Sequence, residues 1–196
     1  MGFIRNLLAL IGLLTIAGVV WAWMQYGSYI QKFSEFDDKA LEAYAPVVET
    51  LLETGNGAEA MIWKVKVAEG LTPEDVEQSL KVVANELNFK NVGEDLPLYK
   101  EVSSLSGKDY RFVKIYMFCN ALTAAKMLDY SDAFSAYLPC RITLLEDPDG
   151  QLWLYTLNMD LMVYGGKPLP PELKEEAIEV RDIILEIMNR GAEGDF

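Results

Sequence analysis

The stretch CRITLLEDPDGQLWLYTL, residues 140–157, decides how this chain folds. Residues 140–146 and 151–157 are rich in β-branched, aromatic and long apolar side chains, and each run has the length of one strand. Between them stands Asp147-Pro148-Asp149-Gly150. Proline presets φ at the start of such a turn, and glycine accepts the positive φ that closes it. Two strands joined by so short a turn form an antiparallel hairpin.

Working outward, residues 111–119 (RFVKIYMFC) predict another strong strand, followed by a helix over 121–128 with Asn120 as its cap. Residues 131–137 predict a further turn or two before Pro139. At residues 61–67, Trp63, Val65 and Val67 alternate with Lys64 and Lys66, the pattern of a half-buried strand. Thr72-Pro73-Glu74-Asp75 then combines a cap, a first-turn proline and a capping-box acid. The helix it starts has Val76, Leu80, Val83, Ala84 and Leu87 on its buried stripe. Residues 89–92 suggest a short strand, and 97–105 a short helix stopped by Ser106-Gly107. After the hairpin, residues 158–164 form one short helix ended by Gly165-Gly166. Pro170-Pro171 opens a last long helix whose core face is Leu173, Ala177, Val180, Ile184 and Ile187. Strands interleaved irregularly with helices, one hairpin among them, predict an α+β fold: an antiparallel sheet packed with helices.

The N-terminal part is of another kind. Residues 7–24 (LLALIGLLTIAGVVWAWM) carry no charge, and Phe3 and Ile4 extend the run to the length of a tilted membrane span. Trp21, Trp23 and Tyr26 cluster at its end, as at a headgroup interface. A signal peptide cleaved after Val20-Trp21-Ala22 is the rival, but the apolar run continues past that point, so a retained anchor is expected. The lipid bilayer is then a partner through residues 7–24. A short N-tail before one large domain predicts a single-pass inner-membrane protein with its C-terminal domain on the extracytoplasmic, periplasmic side. After Gly27-Ser28, Phe33, Phe36, Ala40, Tyr44, Val47 and Leu51 mark an amphipathic helix that Pro46 is expected to kink or split. The expected division is an anchor over 1–27, a helical stalk over 28–57, an α+β domain over 58–190 and a loose tail over 191–196.

Composition narrows the chemistry. The 196 residues include no histidine, which excludes Ser-His-Asp and Cys-His catalysis and histidine-ligated metals. A net charge of −13 offers nothing to a phosphate backbone, so nucleic acid is not an expected partner. Removing the +1 of Arg5 from that −13 leaves −14 for everything after the anchor. No GxxxxGK[ST], GxGxxG or GxSxG pattern occurs. The remaining reactive side chains are Cys119 and Cys140, at the end of one strand and the start of the next. If those strands are antiparallel neighbours, a disulfide can close there; the alternatives are two buried thiols or a thiol and soft-metal redox pair. Met117, Met127, Met159 and Met162 would be further soft ligands, although their spacing is that of ordinary core filler. No cofactor, metal or catalytic residue is assigned. A ligand pocket between sheet and helices is expected to be lined by Tyr116, Phe118, Trp153 and Tyr155.

Residues 118–163 carry a further pattern: Phe118-Cys119-Asn120 ending a strand, Lys126-Met127 on a helix, Pro139-Cys140-Arg141 opening a strand, and Glu146-Asp147 to Gly150 with Trp153 after it. In these features the chain resembles the bacterial domain-of-unknown-function 302 family, more weakly back to about residue 61. The resemblance implies a compact α+β domain, similar to a TATA-binding-protein-like sheet gripped by helices and often dimeric, and brings no catalytic role. The expected function is that of a membrane-anchored binding or assembly module. A redox protein using Cys119 and Cys140, and an accessory subunit of a larger membrane complex, are the alternatives.

Overall fold

The computed structural model describes residues 2–93 and 95–195. Helix α1, Gly2–Phe33, is apolar on every face and has only Gly27 buried, so it has no stripe with which to pack against the domain. It is long and apolar enough to cross a membrane. The helix runs unbroken through Gly27-Ser28, the expected end of the anchor. The split expected at Pro46 falls instead at residues 34–39, and α2, Ala40–Thr54, contains Pro46 within it. The break has a tertiary cause. The Asp37 N–H donates to Gly166 O (2.8 Å), and its carboxylate accepts from the Lys39 N–H (3.1 Å) and is paired with Lys174.

The domain follows as α3 Gly57–Ala60, β1 Ile62–Lys66, α4 Pro73–Glu86, β2 Lys90–Asn91, α5 Leu98–Ser106, β3 Val113–Cys119, α6 Ala121–Tyr130, a 3-10 turn Asp132–Ala136, β4 Cys140–Glu146, β5 Leu152–Leu157, α7 Asp160–Tyr164 and α8 Pro171–Glu193. The Thr72 capping box is present, with both reciprocal bonds made. The strands form one antiparallel sheet in the order β1-β5-β4-β3-β2. In the hairpin turn, Gly150 has φ +84°, and the Asp147 carboxylate accepts from the N–H groups of Asp149 and Gln151 and from Trp153 Nε1.

The hairpin register pairs Leu144 with Leu154, and Ile142 pairs with Tyr116 across β3. These four side chains are fully buried on one face of the sheet, in one core with Val76, Leu80 and Val83 of α4 and Ile184, Ile187 and Met188 of α8. Each such burial is worth about 1.5–3 kcal/mol. Helices α4 and α8 pack so closely that a Cβ on Gly191 would lie 2.4 Å from Leu80 Cδ2. Gly191 is therefore a packing requirement and not a stop. The tail expected to be loose from 191 instead continues the helix to Glu193, with Gly191 and Ala192 buried. Ser79 Oγ then donates to Asp195 O (2.6 Å), and Arg190 pairs with Glu86 (2.7 Å) and Asp195 (2.5 Å). A second, smaller core of Ala43, Met127, Val163, Tyr164, Leu173 and Ala177 fastens α2 to α6, α7 and α8.

Candidate functional site

Two hollows meet at the end of the sheet where β3 stops and β4 begins. Asn120 starts α6 by accepting from the N–H groups of Leu122 (3.1 Å) and Thr123 (3.3 Å), and the helix then turns Thr123 and Met127 inward. Ser131 caps the 3-10 turn that carries Phe134. At the end of β5, Asn158 accepts from the Asp160 N–H (3.0 Å) and α7 follows, bringing Met159, Met162 and Val163 to the same region. Ala177 and Val180 of α8 complete the wall.

The inner cavity, about 50 Å³, is lined by apolar side chains together with Cys119, Cys140, Asn120, Thr123 and Tyr137. That volume holds a few atoms and no organic ligand of ordinary size. The outer groove, about 340 Å³, lies in the usual range of a small-molecule site. Its floor is Met61, Leu157, Leu161 and Leu169, and its polar groups are Tyr130, Tyr137, Asn158 and Lys167. Phe134, Tyr137 and Met162 belong to both hollows. The groove also adjoins the connector that follows α1 and the start of α2. Tyr44 OH donates to Gly165 O (2.7 Å), Asp37 N–H to Gly166 O (2.8 Å), and Lys167 pairs with Glu35.

The aromatic residues expected to line one pocket do not meet. Tyr116 and Phe118 are fully buried beneath the helices. Trp153 and Tyr155 alternate with the buried Leu152 and Leu154, so they stand half-buried on the opposite face of the sheet. There Tyr155 borders a shallow hollow with Ile62, Ile115, Arg141 and Thr143, and Trp153 lies under the Lys64 ammonium at 5.5 Å. The phase of the hairpin, set by its turn, was the available signal for this separation.

Cys119 and Cys140 are brought together as free thiols on the inner cavity. Cys140 pairs in register with Phe118, so Cys119 stands one residue past the direct partner position. Burial raises the pKa of the Cys119 thiol; burial and the neighbouring Cys119 push Cys140 up to about 11. Neither has the cationic partner that makes a thiol a ready nucleophile. Among the described residues, no group of three or more His, Cys, Asp or Glu is placed to hold a metal ion. Composition had no means of revealing the outer groove, because its residues come from the link before β1, the end of β5, α6, the 3-10 turn and loop after it, α7 and the loop after α7.

A separate charged cluster closes on itself. Glu77 accepts from Lys114 (2.6 Å), Lys81 (2.7 Å) and the buried Tyr116 hydroxyl (3.0 Å), while Lys81 also pairs with Asp95 (2.8 Å). Burial opposes the Glu77 charge, but these three donors outweigh it and hold its carboxyl down at about 2. Burial and then the Glu77 charge push the Tyr116 phenol well above its ordinary value. With its donors and acceptors spent on one another, the cluster is structural.

Fold and site together define a class: a five-stranded antiparallel α+β domain with an apolar groove at one end of its sheet, behind a long apolar helix. The family model "Domain of unknown function DUF302" matches residues 63–191, and the chain belongs to that family. An "Uncharacterized protein" of Aquifex aeolicus (strain VF5) is 30% identical over 118 residues, covering 60% of this chain and 74% of the relative. The crystal structure of uncharacterized conserved protein DUF302 from Bacillus stearothermophilus aligns with a TM-score of 0.53 at 19% identity, over 66% of this chain and 97% of that one. At that identity the likeness is one of fold. Residues 1–62, with α1 and α2, precede the matched span.

Proposed function

We propose that this chain is a non-catalytic binding module tethered to a membrane by α1, whose outer groove takes one small amphiphilic molecule. The observation that carries this reading is the groove itself. It has about 340 Å³ of space, an apolar floor, and Tyr130, Tyr137, Asn158 and Lys167 to meet a polar end. Its position supports the reading too. Asp37 of the connector after α1 and Tyr44 of α2 are hydrogen-bonded to Gly166 and Gly165 on the groove wall, so the opening is held near the membrane-side end of the domain. The test is binding of an apolar fluorescent probe to the full chain in detergent micelles. One equivalent should bind, and Ala133→Trp, at an exposed wall position, should abolish binding at unchanged melting temperature. Equal binding by wild type and variant would sink the proposal.

The same proposal puts the domain outside the cytoplasm, behind helix α1, which is long and apolar enough to span a membrane. Protease added to intact, outer-membrane-permeabilised cells should remove the domain; full protection would reverse the orientation.

An assembly role is favoured by a separate observation. Leu41, Val48, Leu51 and Leu52 are exposed along α2, with Leu52 at 81%. A second copy or another membrane subunit would cover them. Native mass spectrometry in mild detergent should then show a species larger than one chain, lost in Leu52→Glu; a lone monomer would count against it.

A further inference from the structure

The chain has ten sulfur-bearing residues, two Cys and eight Met. Five of them, Cys119, Met127, Cys140, Met159 and Met162, line the inner cavity of about 50 Å³. The cavity wall is fifteen of 196 residues, so a random scatter would put fewer than one sulfur residue there. They come from β3, α6, β4, the start of α7 and α7 itself, so no local repeat explains the gathering. Met117 is excluded from it: its Cε lies 3.2 Å from the Cβ position of Gly93.

We propose that this cavity is a site for one soft monovalent metal ion, Cu(I), bound by the sulfurs of Cys119 and Cys140 with thioether support from Met127, Met159 and Met162. The competing oxygen donors are few, and two of them are hydrogen-bonded elsewhere. The Asn120 carbonyl oxygen accepts from two backbone N–H groups, and the Thr123 hydroxyl donates to Glu176 (3.1 Å). With Tyr137, these are the only side-chain oxygens among the fifteen wall residues; the rest of the wall is sulfur and hydrocarbon. Hard cations need several oxygens and keep their waters, whereas thiolate and thioether sulfur select Cu(I). A volume of about 50 Å³ suits an ion that has shed its hydration shell. Binding forms two copper–sulfur bonds at the cysteines and releases their two thiol protons to solvent; no electron is transferred. The shared wall of Phe134, Tyr137 and Met162 makes the outer groove the approach to the site.

The test is a titration of the reduced, metal-free full chain in detergent with Cu(I), against a chromophoric Cu(I) chelator. One equivalent should be withheld from the chelator, with an X-ray absorption spectrum showing sulfur scatterers only. Cys119→Ser with Cys140→Ser should weaken retention by about 100-fold or more. The triple change Met127→Leu, Met159→Leu and Met162→Leu conserves volume and hence the fold, and should weaken it by about 10-fold. The proposal is overturned if the wild type retains no more copper than the double serine variant. It is overturned equally if the triple leucine variant, folded by circular dichroism, binds as tightly as wild type.

Discussion

The two faces of the sheet are made by the same strands and live in different solvents. Under α4 and α8, Tyr116, Ile142, Leu144 and Leu154 have no exposure at all. One residue along in the same strands, Arg141 is exposed and Thr143, Trp153 and Tyr155 are half-buried. An aromatic side chain in β5 is therefore not core by virtue of its type. Its phase in a period of two decides, and that phase follows from the turn at Asp147 to Gly150.

The sharpest way to break the comparison is to delete side-chain bulk from each face. Leu154→Ala should cost about 3–4 kcal/mol, because Leu80, Ile184 and the neighbouring strands are too tightly packed to collapse into the void. Denaturant unfolding of the full chain in detergent measures it, and a loss below about 1 kcal/mol would mean that the two faces are alike. Next comes the polar edge of the covered face. The carboxyl of Glu77 sits at about 2 in the folded protein against an ordinary 4.5, so the fold favours its charged form. The stability it contributes is complete above about pH 4.5 and is lost as pH falls from there toward about 2. With Glu77 about one-quarter exposed, the loss should be about 1–2 kcal/mol. Glu77→Gln should flatten this part of the pH–stability curve; an unchanged slope would place the titration elsewhere. The smallest effect belongs to the open face. Tyr155→Ser should change stability by about 1 kcal/mol or less, since its ring is only partly buried. A loss as large as that of Leu154→Ala would show that something covers this face in solution.

Legibility in the sequence follows the range of the interaction concerned. The capping box at Thr72–Asp75, the cap at Asn120 and the hairpin turn are contacts within a few residues, and all three occur as expected. The positions of the helix breaks are not local. Pro46 sits inside α2, and the chain turns instead at Asp37, held by Gly166 and Lys174 from more than a hundred residues away. Gly191 opens the stretch expected to be loose, yet it lies within α8, where Leu80 leaves no room for a Cβ. The candidate site was legible in part. Cys119 and Cys140 stand out because they are the only two cysteines, whereas Met127, Met159 and Met162 cannot be distinguished from core filler until the cavity exists. The groove residues carry no common motif, and the aromatic set Tyr116, Phe118, Trp153 and Tyr155 is divided by the pleat.

By itself the sequence determined what depends on near neighbours: an apolar helix at the N-terminus, the antiparallel hairpin, the caps, and the alternation that makes an α+β domain. It also ruled out histidine chemistry outright. The tertiary structure alone decided which alternating residues face the helices, where α1 ends, and that five sulfurs from four separate elements and a loop surround one small void. Local propensity acts over a turn or a pleat, while the convergence of distant side chains depends on register and on the docking of α8 across the sheet.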